Sequence, residues 1–424
     1  MPTVAYLANL FPSPVEPYVV AEVHELRRRG VGVLPCSARL AKTELDEELK
    51  SFVSETVYLE RFQWRLLLRA AWLCVRKFPR VQNLLHRALV RGKEPPTRRL
   101  RALIHTWLGA YFALLLEGRR IDHIHAHHGY FGSWIAMTAA RLLGVGFSMT
   151  LHGSDLLLHP AYLDLKLKHC RFCVTVSEFN RQYILEHYPE VLPEKIHVQY
   201  LGVDCPSGGR AVVQAKNDSS LLVMLAVGRL HAVKDHAFLV RACHQLKRCS
   251  PNFLCLVAGE GPERGALEKL ICDLNLQDNV RLLGHVPHAR LNGYFEMADL
   301  IVLTSRSEGI PLALMEAMAR ERIVLAPAIT GVPELVVDGE TGFLYRPGSL
   351  EEFVERVRLV QRLGPAFGPL RRAAREHVLQ HFSRGKNLAA FCDLLITSLN
   401  VPPGPHSSSE RLAESSIYEN PVLQ

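Results

Sequence analysis

The chain has 424 residues, of which 48% are hydrophobic and 22% charged, the proportions of a globular protein and not of a disordered one. A single core seldom grows past about 250–300 residues, so two domains are expected. The net charge of +8 is local: residues 61–120 hold 14 Lys or Arg against two acids, the remainder is mildly acidic, and a general nucleic-acid-binding surface is thereby disfavoured.

In chain order, residues 4–10 read as a strand and Phe11-Pro12-Ser13-Pro14 breaks it. Residues 21–29 have helical periodicity ending at Gly30, and residues 31–35 read as the next strand, the first unit of an open parallel sheet. Residues 58–120 differ. Trp64, Leu67, Leu68, Ala71, Trp72 and Val75 recur at helical spacing with Arg65, Arg69, Arg76 and Lys77 between them, and residues 92–97 break the segment into two helical parts. This basic segment has two readings: an amphipathic face on anionic lipid, or helices packed on the sheet with a solvated basic rim. Strand and helix signals then alternate from residue 121 to 200, and a polar stretch with Gly208-Gly209 reads as a linker over 206–220.

A second alternating block follows, with strands over 221–227, 253–258, 280–283, 300–304 and 323–326. Two such blocks imply an α/β protein of two Rossmann-like domains, 1–205 and 206–386. A last helix covers 387–400, and 401–424 has the composition of a tail.

The ten cysteines are scattered, and Cys170-x-x-Cys173 has no second pair to complete a zinc site, so a reducing cytoplasm is expected. The N-terminus has no basic stretch ahead of its apolar run, which speaks against a secretory signal. No apolar run reaches the ~18–20 residues that span a bilayer, and the inner face of the cell membrane is the alternative location.

Four stretches carry chemistry. In Gly228-Arg229-Leu230, with Lys234 following, two cations sit at the carboxyl end of a strand and suit a diphosphate; solvent-facing loop residues are the plain alternative. In Ser305–Glu316, Glu308 and Gly309 fall in a strand-to-helix turn and Pro311 suits the first helical turn. The amides there form a seat for phosphate, Gly309 allows close approach, and Glu316 lies where ribose hydroxyls would reach; for Glu308 alone, compensation of the helix dipole is the alternative. In Thr150-Leu151-His152-Gly153-Ser154-Asp155, His152 and Asp155 at a strand end could bind sugar or handle a proton, or the histidine could simply cap the turn. In Asp122–Gly129, His123, His125 and His127 share one strand face; lining a cleft is favoured over metal, since zinc needs further ligands.

With these residues in view, the chain resembles the retaining GT-B glycosyltransferases of the group 1, family 4 type. VGRLHAVKD, LVAGEGPERGALEKL, NVRLLGHV, ADLIVLTSRSEGIPLALMEAMA and GVPELVVDGETGFLY carry the resemblance over 221–382. In the first half, LANLFPSPVEPYVVAEVHELRRRG, HIHAHHG, TLHGSDL and VTVSEFN are similar to exopolysaccharide and lipopolysaccharide members. The resemblance implies two domains facing across a donor cleft and transfer of a hexose from a nucleotide-diphosphate sugar to a glycan or lipid-linked acceptor, with retention and without a metal or other cofactor. It implies that Arg229 and Lys234 hold the diphosphate, and that Glu308 contacts the sugar and Glu316 the ribose. Gly228 and the backbone from Gly309 through Ile310, Pro311 and Leu312 would bind phosphate and sugar oxygens, Gly284 and Val286 would lie near the base, and His152 beside the transferred sugar. His127, Asp155 and Ser13 are the acceptor-side candidates, and the last helix would cross back to the first domain. The chain departs from many relatives in lacking glycines in the first loop, in Glu16-Pro17-Tyr18, and in Thr330 where a glycine is usual. A partner subunit that binds nucleotide sugar without catalysis is the alternative, disfavoured by the intact Arg229, Lys234, Glu308 and Glu316. A nicotinamide dehydrogenase is disfavoured because no GxGxxG follows the first strand.

Overall fold

The computed structural model describes residues 2–13, 16–40, 47–90, 94–158, 160, 162–205 and 221–400. The expected linker, the tail and the first two residues of the break expected over 92–97 lie outside these residues. Strands β1 (Thr3–Leu10), β2 (Gly32–Arg39), β3 (Val57–Tyr58), β4 (His123–His127), β5 (Gly146–Leu151), β6 (Cys173–Thr175) and β7 (Ile196–Val198) form one sheet in the order β3-β2-β1-β4-β5-β6-β7. Strands β8 (Leu222–Val227), β9 (Phe253–Ala258), β10 (Val280–Gly284), β11 (Leu300–Val302), β12 (Ile323–Pro327) and β13 (Phe343–Tyr345) form a second, in the order β10-β9-β8-β11-β12-β13. Every pairing is parallel. The near-continuous apolar runs explain this: consecutive residues such as Val4 to Ala8, or Leu222 to Ala226, are all buried because helices cover both sheet faces. Strand order reverses at β1/β4 and at β8/β11, the two places where a doubly wound sheet opens a crevice at its carboxyl edge.

The basic segment forms three helices, Trp64–Arg76, Phe78–Leu89 and Pro96–Leu116, one more than its periodicity suggested. The additional break is at Pro79: a proline has no N–H to continue a helix but suits its first turn, which is where it stands in Phe78–Leu89. A short helix, Glu47–Glu55, and edge strand β3 were not legible in the pattern.

The two domains meet at several points. Val203 bridges to Ser383, and the helix Arg384–Asn400 then packs on the first domain, with Phe391, Cys392 and Leu395 buried beside Val4, Tyr6 and Val23. Arg29 pairs with Asp393 at 2.5 Å. Glu334 of the second domain accepts from the backbone N–H of Glu178 and Phe179, both at 2.8 Å, and from Tyr200 Oη at 2.9 Å. A carboxylate from one domain thus caps a helix of the other, Glu178–His187, where the dipole favours negative charge.

Candidate active site

The loops that follow β8 and β11 are tied edge to edge. Arg306 N–H donates to the Val233 carbonyl (2.8 Å), Thr304 Oγ1 to the Lys234 carbonyl (3.0 Å), and Arg306 Nε to Asp235 Oδ2 (2.8 Å). Asp235 also caps the helix His236–Cys249, accepting from Phe238 N–H. These bonds bring Lys234 Nζ to 2.6 Å from Glu308 Oε1, which Ser305 Oγ also reaches at 2.5 Å. No side chain caps the helix Leu312–Ala319, whose N-cap is Pro311, so its first amides remain for a ligand. Glu316 pairs with His288 at 3.0 Å, and that histidine is largely exposed and free to swing aside.

Glycine is required here where backbones meet. A Cβ on Gly309 would lie 2.4 Å from the His152 carbonyl oxygen, and one on Gly331 would lie 2.3 Å from the Gly309 carbonyl oxygen. Gly153 stands at φ +119°, where a side chain would be strained as well as crowded against Gly309. The close approach expected of Gly309 is therefore made, in this structure, to the first domain. Gly228 is overlain by Gly259, whose Cβ would fall 1.9 Å from the Gly228 carbonyl, and Gly259 N–H donates to Gly284 at 2.8 Å. The carboxyl ends of β8, β9 and β10 thereby stack side by side. Val286 is half-buried behind them.

Across the cleft, a chain of hydrogen bonds runs from helix Pro17–Arg28 to His152. Tyr6 Oη donates to Glu22 Oε2, His127 Nε2 lies 3.0 Å from the same oxygen, and His127 Nδ1 lies 3.1 Å from His152 Nε2. A carboxylate only accepts, so it fixes the proton of His127 on Nε2. His127 Nδ1 then accepts from His152 Nε2, which leaves His152 Nδ1 as an acceptor facing out of the chain. Burial, and after it the neighbouring histidines, hold His152 well below the usual histidine range. Burial and the Glu22 charge push Tyr6 well above the usual tyrosine value, so it stays a donor.

His128, at φ 69°, turns the other way and bonds Glu16 Oε1 at 2.9 Å. Burial works to lower its pKa, but the Glu16 bond and the charges of Asp155 and Glu16 outweigh burial and raise it. Burial likewise works to raise Glu16, and the His128 bond prevails and lowers it. The Arg229 charge acts on Glu16, His128 and Tyr130, which places this second-domain cation opposite them. Glu16 Oε2, Ser13 Oγ and Ser307 Oγ are buried without a hydrogen-bond partner among the described residues, and His128 Nδ1 has only the Asp155 carboxylate, at 3.7 Å. Buried polar atoms are nearly always paired, so these orphans point to a ligand.

Two expectations change. Asp155 is fully buried and does not face an acceptor: its oxygens accept from Gly129 N–H (2.7 Å), His152 N–H (3.0 Å) and Gly153 N–H (2.9 Å), so it fixes the loops after β4 and β5. Lys166, also fully buried, holds the Gly129 and Tyr130 carbonyls from below, and burial draws its pKa down to about 7. His123 and His125 likewise do not line the cleft. They are buried in the sheet, bonded to Ser148 Oγ at 2.7 and 2.8 Å, with His125 also reaching Thr150 Oγ1 at 3.1 Å. Of the histidines on that face of β4, only His127 reaches His152.

Thr330, the departure from glycine, sits at φ 42° and holds Glu308 at both ends of its peptide: Oγ1 donates to the Glu308 carbonyl (2.7 Å) and accepts from its N–H (3.2 Å). Thr330→Gly relieves the left-handed backbone but frees the Glu308 turn. With each such bond worth about 1 kcal/mol, kcat/KM for donor is expected to fall about tenfold, while relief of the left-handed backbone offsets part of the lost bonding and the melting temperature holds or falls slightly. Unchanged kcat/KM in steady-state kinetics rejects this role for Thr330.

Residues 212–377 match the family model "Glycosyl transferases group 1", and residues 15–206 the model "Glycosyltransferase Family 4". The chain is 32% identical over 199 residues to a putative colanic acid biosynthesis glycosyltransferase WcaL from Salmonella typhimurium, covering 45% of this chain and 48% of the relative. It spans about a third to a half of the length of the first curated relatives it matches. Two solved structures share the whole fold: a glycosyltransferase from Rickettsia africae (TM-score 0.67, 20% identity, 95% of this chain and 99% of that one) and HepE from Anabaena in complex with UDP (TM-score 0.65, 17%, 94% and 100%). With two parallel-sheet domains in the GT-B arrangement and family models matching both halves, the chain belongs to the group 1 glycosyltransferases.

Proposed function

We propose that this chain is a retaining glycosyltransferase that moves a hexose from a nucleoside-diphosphate sugar to a glycan or lipid-linked acceptor in cell-surface polysaccharide synthesis, without a metal ion. The observation that carries the reading is the Lys234–Glu308 pair, 2.6 Å apart at an uncapped helix start and opposite His152. When a donor enters, Lys234 exchanges its carboxylate partner for diphosphate oxygens, and Glu308 is released to a sugar hydroxyl. Arg229, Lys234 and the free amides then stabilise the charge that develops on the leaving diphosphate, the task a divalent cation performs in other transferases. Asp155 and Glu22 are both buried and engaged, which favours front-face displacement over a covalent sugar–carboxylate intermediate. In that displacement the acceptor oxygen bonds to the anomeric carbon on the side the diphosphate leaves, and the acceptor proton passes to the departing phosphate oxygen. The UDP held by the HepE structure and the polysaccharide role in the name of the WcaL relative agree with this reading.

A panel of nucleoside-diphosphate hexoses, assayed for nucleotide release with and without EDTA, tests it. One donor is expected to raise the melting temperature and be hydrolysed slowly without acceptor, whether or not EDTA is present. No shift and no turnover with any donor rejects transfer, loss of turnover with EDTA rejects metal independence, and an inverted product anomer rejects retention.

Glu22 acts through His127 and touches no substrate, so it is a positioning residue. Glu22→Leu removes the acceptor from His127 Nε2, so neither tautomer is fixed and His152 Nδ1 is no longer held as an acceptor. A fall in kcat of roughly tenfold or more, with little change in donor KM and a displaced pH profile, is expected. A merely structural role would lower stability and leave the pH profile where it was.

A further inference from the structure

The helix Trp64–Arg76 has two apolar faces. Leu66, Leu67, Ala70 and Leu73 turn inward to the first-domain core. Trp64, Leu68, Trp72 and Val75, each about one turn from the last, turn outward, with 67, 65, 59 and 73% of their surface exposed. A helix that only rims a soluble domain carries polar side chains there. The helix Pro96–Leu116 extends the same surface with Leu100, Ile104 and Trp107, again at helical spacing and exposed. Trp107 Nε1 donates to the Leu67 carbonyl at 2.9 Å and so draws the two stripes together. Among the described residues nothing covers this face, and a continuous apolar patch of this kind marks an interaction surface.

Charge decides what covers it. The Arg65 and Arg76 guanidinium groups lie over the Trp64 and Trp72 rings at 5.3 and 5.2 Å, Arg101 is exposed alongside, and so is Arg69, which pairs with Glu117 at 3.2 Å. A second copy docking by the same patch would set these cations against their own kind. An anionic bilayer supplies phosphates to the arginines and an apolar interior to the leucines, and indole rings favour the headgroup level between. We infer that this two-helix face seats on an anionic lipid surface, with Trp64 and Trp72 at headgroup depth. Among the described residues no helix is long and apolar enough to cross a membrane, and the face would lie on the bilayer.

The seat is joined to the cleft. His105, one residue on from Ile104, stacks on Phe131 at 4.5 Å, and Phe131 opens the helix that follows the His127–Tyr130 turn. A bilayer beneath the patch therefore lies beside the first-domain rim of the cleft, where the headgroup of a lipid-linked acceptor would be presented. That last consequence rests on the proposed function; the lipid contact itself does not.

The test is flotation of the full chain with vesicles of phosphatidylglycerol and phosphatidylethanolamine, or of phosphatidylcholine alone, at low and high salt and without donor or acceptor. Binding is expected to the anionic vesicles only and to weaken with salt. It should fall roughly tenfold or more in the double variant Trp64→Ser/Trp72→Ser, and likewise in Arg65→Glu/Arg76→Glu, with unchanged melting temperatures because these side chains point outward. Absence of binding to anionic vesicles overturns the inference. So does equal binding by the variants, or a concentration-dependent dimer in place of lipid binding that the tryptophan variant abolishes. Lipid binding by a chain that turns over no donor would leave this inference standing and the proposed function rejected; active chain that ignores vesicles would do the reverse.

Discussion

Lys234→Ala is expected to lower kcat by about a hundred- to a thousandfold, the usual effect of removing one preorganised group that meets transition-state charge. The loss should fall on the chemical step. Arg229 and the amides at the start of helix Leu312–Ala319 still bind the ground-state diphosphate, so the affinity for free nucleoside diphosphate drops less than kcat. The variant has a structural cost too. Glu308 is mostly buried, and Lys234 and Ser305 are its side-chain partners, so removing the ammonium leaves a carboxylate held by one hydroxyl. Both members of the pair are mostly buried, so that cost is on the order of 1–3 kcal/mol, short of a total stability of about 5–15 kcal/mol. The double variant Lys234→Ala/Glu308→Gln separates the two effects: it should recover the stability and none of the turnover. Single-turnover rates and calorimetric binding of nucleoside diphosphate measure both. A Lys234→Ala enzyme within a few-fold of normal kcat removes Lys234 from the proposed mechanism.

The layers of the fold were legible because parallel strands covered on both sides must be nearly all apolar, and runs such as Leu222–Val227 and Phe253–Ala258 can hardly be anything else. The turns at Arg229 and Glu308 were legible because each follows such a run directly. What escaped the sequence depends on contacts between distant positions. Glu22 lies on an ordinary amphipathic helix, where a glutamate reads as a solvent-facing residue; its burial follows from His127, 105 residues away, filling the space beneath it. One signal was available: Glu22 falls among Val19, Val20, Val23 and Leu26, on the buried stripe of that helix.

Asp155 and Thr330 mislead for the opposite reason. An aspartate after a His-Gly-Ser turn suggests chemistry, yet three backbone donors within reach make it a clamp. A threonine in place of glycine suggests a lost contact, yet its hydroxyl grips Glu308 from 22 residues away. The histidines of β4 were assigned to one face correctly by alternation, but alternation says nothing of depth along the strand. His123 and His125 lie too far back from the carboxyl edge to meet a ligand, and the hydroxyls of Ser148 and Thr150 on β5 absorb them.

That histidine ladder, together with the buried His236 of the second domain, has a consequence for stability. Burial first, and neighbouring cations second, hold His123 down to about 3 and His236 to about 4, while burial and the adjacent histidines hold His125 well below its ordinary value. In the unfolded chain each titrates near 6.5. Between that value and about pH 4 the unfolded chain takes up protons that the folded chain refuses, so stability rises with pH through this window and is lost on acidification. At pH 4.5 the cost is roughly 2–3 kcal/mol for each fully buried histidine. Three of them draw heavily on a total of about 5–15 kcal/mol. Lys166, held near 7 against 10.5, carries the same sign to the alkaline side, so stability continues to rise above neutrality. His128 has the opposite sign: its raised pKa adds stability below 6.5, and this is lost as pH rises through its folded value. That gain persists only while Glu16 is ionised, since the lowered Glu16 adds stability above 4.5 and loses it as pH falls through its folded value. The ladder therefore outweighs the pair. Urea unfolding followed by circular dichroism is expected to show a midpoint that falls steeply from pH 7 to 4.5, with His123→Phe flattening the slope by one histidine's share. A midpoint independent of pH over that range would mean that these imidazoles take up protons in the folded chain, and with it the neutral ladder behind His127 and His152 would be lost.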